Sequence, residues 1–379
     1  MITETTVITN EEALIVILRK QLGKLCIVLE LSGISILEEI HIKGWKYILY
    51  TIRKLFFPLF LHFSLFFLWS GTIQARENNY AAIIDMVVPL IVNVMWWMLY
   101  IRKMSLKVFS IHVANTLSTN LVSQTRYLAF AVNAALCLIF VFPGLLIKVK
   151  LFQNYENTVN KFECFRYVHE IIFPSIISVM YTAICYLMLE NLRICKRKFQ
   201  EELDLSSLIT LTKLKKSYMD VVKGIAMFED LFSAPVLLLV IKNLCTVSIV
   251  VMDMMYIDNW ISKLSLESLF YLGFIFGSLG ILTLCAGNIP LELMRIKTVL
   301  LDKMSKQSTQ DGLLCGEKQV QYIIQRDITI LTGWNVFHFD RGFLLKAFIT
   351  VIAHAVLIFQ LGVSVSPSQK SCPKPSTFS

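Results

Sequence analysis

From residue 231 to residue 252 the chain reads Leu-Phe-Ser-Ala-Pro-Val-Leu-Leu-Leu-Val-Ile-Lys-Asn-Leu-Cys-Thr-Val-Ser-Ile-Val-Val-Met, and its only formal charge is Lys242. A helix that crosses a hydrocarbon core of roughly 30 Å needs about 20 mostly apolar residues. The run at 236–240 shows none of the alternation that is typical of a membrane β-strand. We therefore predict that this segment is a transmembrane helix.

Six further stretches pass the same test of length and apolar composition. Because backbone polar groups in lipid must be satisfied internally, each is predicted to be a helix. They are Leu55–Ile73, Tyr80–Ile101, Tyr127–Ile147, Val168–Glu190, Ser268–Pro290 and Phe343–Val363. The sequence therefore predicts an all-α membrane protein with seven transmembrane helices.

The composition of the whole chain agrees with this fold class. Of 379 residues, 56% are hydrophobic and 17% are charged, and the mean hydropathy is +0.63. Soluble domains have about 25% charged residues. A disordered chain, a coiled coil and a soluble enzyme are therefore disfavoured.

The basic residues predict the orientation of the helices in the membrane. Segments on the N-terminal side of the predicted membrane hold 26 Lys and Arg residues, and segments on the other side hold 8. Because cytoplasmic loops carry the excess of Lys and Arg, we expect a cytoplasmic N-terminus and an extracellular C-terminus. This is the reverse of a G-protein-coupled receptor. The net charge of +9 then indicates contact with anionic lipid rather than with nucleic acid.

Segments between the predicted spans also contain helical patterns. Residues 13–40 are predicted to form a cytoplasmic or interfacial helix. After the sixth span we expect a cytosolic helical extension, a disordered break at Ser305–Gly316, and then an amphipathic helix. The apolar residues of that last helix recur at helical spacing and are Val320, Ile323, Ile324, Ile328 and Leu331. Long helices of this kind would form an intracellular bundle.

The sequence contains no pattern that indicates an enzyme or a metal site. It has no Cys-x-x-Cys pair, no P-loop and no Gly-x-Ser-x-Gly, and its six His residues are dispersed. We expect no catalytic residue, no metal and no cofactor. A membrane-embedded transferase would need a His/Asp cluster at one membrane face, and Asp340 with His338 is the only near-cluster.

Polar residues inside the predicted spans are candidates for ligand binding, because charged groups in the membrane are costly unless they function or pair. Lys242 could instead form a salt bridge with Asp85 or Glu170, and the aromatic residues could simply pack. A secondary transporter that uses Asp85 and Lys242 as coupling charges is an alternative function. The ligand-binding candidates are Asp85, His169, Glu170, Tyr256, Tyr271 and Phe274.

The C-terminal stretch resembles a known family. It reads Gly333-Trp-Asn-Val-Phe-His-Phe-Asp340-Arg341-Gly-Phe-Leu-Leu, and the last helix ends with five hydrophobic residues, Gln360 and Leu361. This is similar to the arthropod gustatory receptor family, whose last helix carries Thr-Tyr, five hydrophobic residues, Gln and Phe. Here His354 stands where the family has Tyr, and Leu361 stands where it has Phe.

The resemblance implies a function as a tetrameric, ligand-gated, non-selective cation channel opened by a small extracellular tastant. The last helix of each subunit would surround a central pore, with Gln360 and Leu361 at the gate. Leu357 lies one turn earlier on a similar face, and a hydrophobic ring gates by dewetting. Alternatively, Gln360 forms an interhelical hydrogen bond within one subunit. His354 is either a hydrogen-bonded core residue or a titratable group near the pore.

The resemblance and the predicted spans together divide the chain into five parts. These are a cytoplasmic segment at 1–54, a ligand-sensing bundle at 55–290, a cytoplasmic anchor segment at 291–342, a pore-lining helix at 343–363 and an extracellular tail at 364–379. The implied partners are the lipid bilayer, a tastant, and identical or related subunits. The implied location is the plasma membrane of sensory neurons.

Overall fold

The computed structural model describes most of the chain. The described residues are 16–34, 44–74, 80–116, 126–153, 165–202, 208–256, 266–307, 314–340 and 342–365. The predicted break after the sixth span lies largely outside these residues.

Helices make up nearly all of the described structure. They are α1 (Leu25–Leu31), α2 (Trp45–Gln74), α3 (Tyr80–Ile101), α4 (Lys103–Thr116), α5 (Arg126–Gln153), α6 (Phe173–Glu202), α7 (Leu208–Tyr256), α8 (Leu266–Gln307), α9 (Leu314–Gln325) and α10 (Phe343–Val365). A π-helical turn at Val168–Ile172 leads directly into α6. The strands β1 (Thr332–Gly333) and β2 (Phe337–His338) form a short antiparallel hairpin between α9 and α10.

Several of these helices are long and apolar enough to cross a membrane, so the chain is a multi-pass membrane protein. Five meet the criterion alone, and the pair α3–α4, bent by 65°, makes a sixth if the two form one span. In α10 the apolar stretch Phe343–Ala353 is shorter. Each of the seven predicted spans lies within a helix, or within α6 and the π-helical turn before it. The count of seven and the orientation stay predictions.

The centre of the bundle is α6, which packs against α5, α7 and α8. In the most apolar part of the helix that contains α6, 78% of the residues are buried, against 17% for α2. Large apolar side chains of α2, such as Phe56 and Phe66, point outward and are 70% and 71% exposed.

The N-terminal segment packs into the bundle rather than lying apart from it. Its apolar face is fully buried through Leu22, Leu25 and Leu29. The indole of Trp96 in α3 donates to the carbonyl of Ser32 at 2.9 Å. A left-handed Gly23, with φ of +57°, turns the chain so that the backbone N–H of Lys24 reaches Asn133 of α5 at 3.0 Å.

The segment before α10 differs from the prediction of a single amphipathic helix. Val320 and Ile323 are buried as expected, but α9 ends at Gln325. Four of the five residues from Ile328 to Thr332 are β-branched, which favours an extended backbone. Leu331 is therefore buried from an extended segment that leads into the hairpin, not from a helix.

Candidate functional site

A groove of about 630 Å³ lies between α5, α6 and α8. Its walls are apolar and aromatic, with hydroxyl groups on α6 and α8. The hydroxyl-bearing side chains of α6 and α8 that line it are Ser175, Ser178, Thr182, Tyr186 and Ser278. Tyr127, Leu138 and Ile281 line its mouth and are 81%, 65% and 57% exposed. The groove therefore opens to the outside of the bundle.

Small residues create the space in this groove. Gly273 and Gly277 of α8 line it, and a Cβ added to either would meet no atom within 4 Å. Phe274, one of the predicted ligand-binding residues, forms a wall and stacks on Phe142 of α5 with ring centroids 4.6 Å apart. The hydroxyls of Ser178 on α6 and Ser278 on α8 form a hydrogen bond with each other at 2.9 Å. Such a site suits a small, mostly apolar molecule with few polar groups.

The predicted residues Glu170 and Tyr271 form a buried polar cluster beyond the end of the groove. The hydroxyl of Tyr271 donates to the Glu170 carboxylate at 2.5 Å, and Arg166 forms an ion pair with the same carboxylate. Glu170 is 8% exposed and Tyr271 is 7% exposed. The carboxylate is therefore satisfied by side chains of the protein itself.

Lys242 completes this cluster through the backbone carbonyl of Glu170, and the predicted alternative of a salt bridge to Asp85 lies outside the described residues. Its ammonium donates to the carbonyl of Glu170 and to the amide oxygen of Asn243 at 3.3 Å. The α-helical donor for that carbonyl would be residue 174, which is a proline and has no N–H. Lys242 thus occupies an acceptor that Pro174 leaves free.

His169 lies in the π-helical turn and contacts a different helix. Its Nε2 is 2.7 Å from the hydroxyl of Ser64 in α2, and the residue is fully buried. Its Nδ1 has no hydrogen-bond partner. Single π-helical turns are frequent at functional sites, so His169 and Glu170 stay candidates for a functional role. Asp85 and Tyr256 lie in α3 and at the end of α7, and their side chains are outside the described residues.

The predicted gate residues lie along α10. Leu357 is 54% exposed, whereas the side chains of His354, Gln360 and Leu361 are outside the described residues. Exposed apolar residues follow one face of the helix at helical spacing. They are Leu345, Ile349, Ile352, Val356 and Leu357.

The quoted C-terminal motif forms the hairpin and the start of α10. A Cβ on Gly333 would lie 2.3 Å from the ring of Phe337, so a larger residue there would force that ring to move. Trp334 and Asn335 both have positive φ, 48° and 58°, which is the sign pattern of a type I′ turn. Arg341 is outside the described residues.

Asp340 marks the beginning of α10. Its carboxylate accepts a hydrogen bond from Lys346 at 2.8 Å, and this interaction lowers the pKa of Asp340 below its usual value. Both side chains are more than half exposed. The pair is therefore a surface feature of the helix start.

A clamp that the sequence did not reveal fastens the hairpin to α7. Both oxygens of Glu229 accept from the backbone N–H of Thr332 at 3.1 Å, and the Thr332 hydroxyl also donates to Glu229. One turn further along α7, Ser233 accepts from the backbone N–H of Trp334 at 2.7 Å. Among the residues that the structure describes, no cluster of His, Cys, Asp or Glu could hold a metal ion.

Comparison with known proteins adds the identity of the fold. No protein-family model matches the chain, and no curated protein sequence matches it. In three dimensions the chain is similar to the insect olfactory receptor OR5 from Machilis hrabei, solved alone and in complex with eugenol. Both structures give a TM-score of 0.69 at 14% and 13% identity, with 91% of this chain and 98% of the receptor covered. The chain has the fold of an insect olfactory receptor.

Proposed function

We propose that the chain is a chemoreceptor of the gustatory receptor type, a subunit of a ligand-gated, non-selective cation channel in the plasma membrane of sensory neurons. The observation that carries the proposal is a groove of about 630 Å³ in a chain with the fold of an insect olfactory receptor. The C-terminal motif from Gly333 to Leu361 supports the gustatory assignment.

The lining of the groove favours one class of tastant. No charged side chain is among the described residues that line it, so a charged tastant would lose hydration without gaining a partner. The hydroxyl of Thr182 offers a directed hydrogen bond, and Ser178 and Ser278 would offer others by exchanging the bond that they form with each other. The ligand is therefore a compact apolar molecule with one or two hydroxyl or carbonyl groups. Eugenol, which is bound in the structure of the Machilis hrabei receptor, is a suitable first probe.

The gate in this proposal is formed by α10 from several subunits around a shared axis. The exposed apolar face of α10 would then be covered by neighbouring copies or by related subunits. Leu357 and Leu361 would form hydrophobic constrictions that close the pore by dewetting. Gln360 would face water at the pore, which relieves the cost of an amide in an apolar helix.

Opening follows from preferential binding. A ligand shifts the equilibrium between closed and open states only by the difference between its affinities for the two. A groove that is wider in the open state would therefore convert binding into displacement of α10. The alternative of a transporter gains less support, because Lys242 already donates to Glu170 and Asn243.

The test is electrophysiology on cells that express the full chain. Eugenol and a panel of apolar alcohols, phenols and ketones are applied while whole-cell current is recorded. We expect a cation current, and we expect Gln360→Ala and Leu361→Ala to change its gating at normal surface expression. Saturable uptake without unitary conductance would overturn the channel assignment. An unchanged gate in both variants would overturn the assignment of Gln360 and Leu361 to the pore.

A further inference from the structure

Helix α8 carries the groove on one face and α10 on another. Phe274, Gly277 and Ile281 line the groove. On the other face, Phe276 meets Phe348 of α10 edge to face, with ring centroids 5.2 Å apart. Because a helix moves largely as a rigid rod, a change on the groove side of α8 reaches α10 directly.

Of the glycines of α8, Gly287 has the closest neighbour. A Cβ added there would be 3.1 Å from the carbonyl oxygen of Phe339. The backbone of α8 thus touches the backbone of the segment that leads into α10. Gly280, two turns earlier, is looser, since an added Cβ would meet only the side chain of Leu344 at 3.7 Å.

The side chain of Phe339 connects the same point to α6. It is buried, and its ring centroid is 6.2 Å from that of Tyr181. Tyr181 lies between Ser178 and Thr182, which line the groove. On its other side, the ring of Phe339 packs against Phe343, the first residue of α10, with centroids 5.4 Å apart.

We propose that Phe339 is a positioning residue that couples occupancy of the groove to the position of α10, with Gly287 as the contact through which α8 acts. The proposal rests on the proposed function for the groove as the ligand site and for α10 as the gate. An occupant that separates α6 from α8 moves both walls that hold Phe339. Packed interiors switch between discrete arrangements rather than deforming smoothly. A small shift of α6 and α8 would therefore change the position of the first turn of α10.

The experiment places an occupant in the groove covalently, so that it does not depend on the natural tastant. Gly277→Cys provides a thiol at a position where a Cβ meets nothing within 4 Å. Benzyl methanethiosulfonate then attaches a benzyl group through a mixed disulfide. The full chain in lipid nanodiscs is examined by hydrogen exchange of the amides at the start of α10.

Two controls separate groove occupancy from other effects of the reagent. Because the free Cys285 also lines the groove, every chain in the experiment carries Cys285→Ser. That chain without a further substitution, treated with the reagent, reports on the remaining native cysteines. Gly144→Cys, at an exposed position of α5 where an added Cβ also meets nothing within 4 Å, carries the same benzyl group outside the groove. We expect the exchange rates to change roughly fivefold or more, as is typical of coupled sites, only with the benzyl group at residue 277.

The decisive comparison adds a second substitution to the Gly277→Cys chain. Gly287→Ala and Phe339→Leu should each reduce the change in exchange to less than about half, whereas Gly280→Ala should leave it intact. Two variants at the contact keep the test informative if one of them does not fold. An equal change in exchange in Gly287→Ala, Phe339→Leu and Gly280→Ala would overturn the coupling. So would unchanged exchange at the start of α10 when the benzyl group is attached at residue 277.

The same variants distinguish this inference from the proposed function. A chain that gives no current with any ligand, yet shows the exchange change and its loss in Phe339→Leu, would defeat the channel and leave the coupling in place. A ligand-evoked current whose concentration dependence is the same in wild type, Gly287→Ala and Phe339→Leu would defeat the coupling and leave the channel in place.

Discussion

The buried cluster around Glu170 and the groove between α5, α6 and α8 both contain polar groups, but the two regions differ in charge and in open space. The cluster contains full charges, and its carboxylate already contacts Arg166 and Tyr271. The groove contains only hydroxyl groups among apolar walls, and it encloses open space. The charged residues therefore bind one another, whereas the weakly polar region is the site that we propose for the ligand.

This difference suggests that different residues serve stability and ligand binding in this membrane protein. A full charge in an apolar interior is tolerated only when partners satisfy it, so the ion pair fixes the helices around the π-helical turn. A hydroxyl can face an empty or lipid-filled groove at small cost, because Ser and Thr also bond to their own helix. Substitutions in the two regions should accordingly change different properties.

The largest expected effect is in the cluster. Glu170→Ala leaves Arg166 and Tyr271 without their shared acceptor. Loss of one partner of a fully buried pair costs about 3–5 kcal/mol, and the cost here is smaller because the Arg166 side chain is 43% exposed. We expect a large drop in melting temperature for the purified chain in detergent, measured by tryptophan fluorescence. The matched control is Asp302→Ala, because the exposed pair of Asp302 and Lys306 on α8 should contribute at most about 0.5 kcal/mol. Equal melting of the two variants would contradict the assigned role of the cluster.

The second prediction concerns the contact between α7 and the hairpin. It tests whether the carboxylate of Glu229, which accepts hydrogen bonds from Thr332, stabilises the fold as that of Glu170 does. Thr332→Val keeps the side-chain shape but removes the hydroxyl that donates to Glu229. A hydrogen bond to a charged group contributes about 1.5–3 kcal/mol, so a measurable loss of thermal stability is expected. In Thr298→Val the lost hydroxyl bonds only within its own helix, to Met294, and that variant should melt like the wild type. A wild-type melting temperature for Thr332→Val would show that the clamp is not stabilising.

The groove should respond in the opposite way, with function affected and stability preserved. Gly277→Leu fills space that is open in the structure, so we expect the half-maximal ligand concentration to rise at least tenfold, or about 1.4 kcal/mol, with little change in melting temperature. Gly144→Leu adds the same side chain at an exposed position outside the groove. The contrast between the two regions fails if Gly277→Leu destabilises the chain or if both leucines alter the response equally.

Length and hydropathy were sufficient to predict where the apolar helices lie, because those signals are local. Each predicted span, such as Leu231–Met252 within α7, falls inside a helical segment. The pairing of Glu170 with Tyr271 lies beyond such signals, since it joins residues 101 positions apart. Of the residues that line the groove, the sequence predicted only Phe274, because glycines and serines on separate helices carry no sign of the space they will enclose.

Some of the missed structure did have a signal in the sequence. Pro174 stands four residues after Glu170, and a proline inside a span frees one carbonyl that a buried donor must then satisfy. Lys242, the one charge in its span, is such a donor. The run from Ile328 to Thr332 is rich in β-branched residues, which argues against continuing α9 through it. A motif with Gly333 before Trp-Asn also indicates a turn with positive φ.

The smallest expected effect is at the pair of Asp340 and Lys346. Both side chains are exposed, so this pair shows what an ion pair contributes in water rather than in the buried cluster. The hydrogen bond from Lys346 lowers the pKa of Asp340 below its ordinary value of 3.8. A carboxyl group with a lowered pKa in the folded state stabilises the fold above its ordinary pKa and loses that contribution as the pH falls through the folded value. Asp340→Asn should therefore melt slightly below the wild type at pH 7. The difference should shrink as the pH falls below 3.8 and disappear below the lowered pKa of the folded state. A difference that grows on acidification would have the wrong sign for an ion pair, and it would mean that Asp340 acts through its backbone contacts at the start of α10 instead.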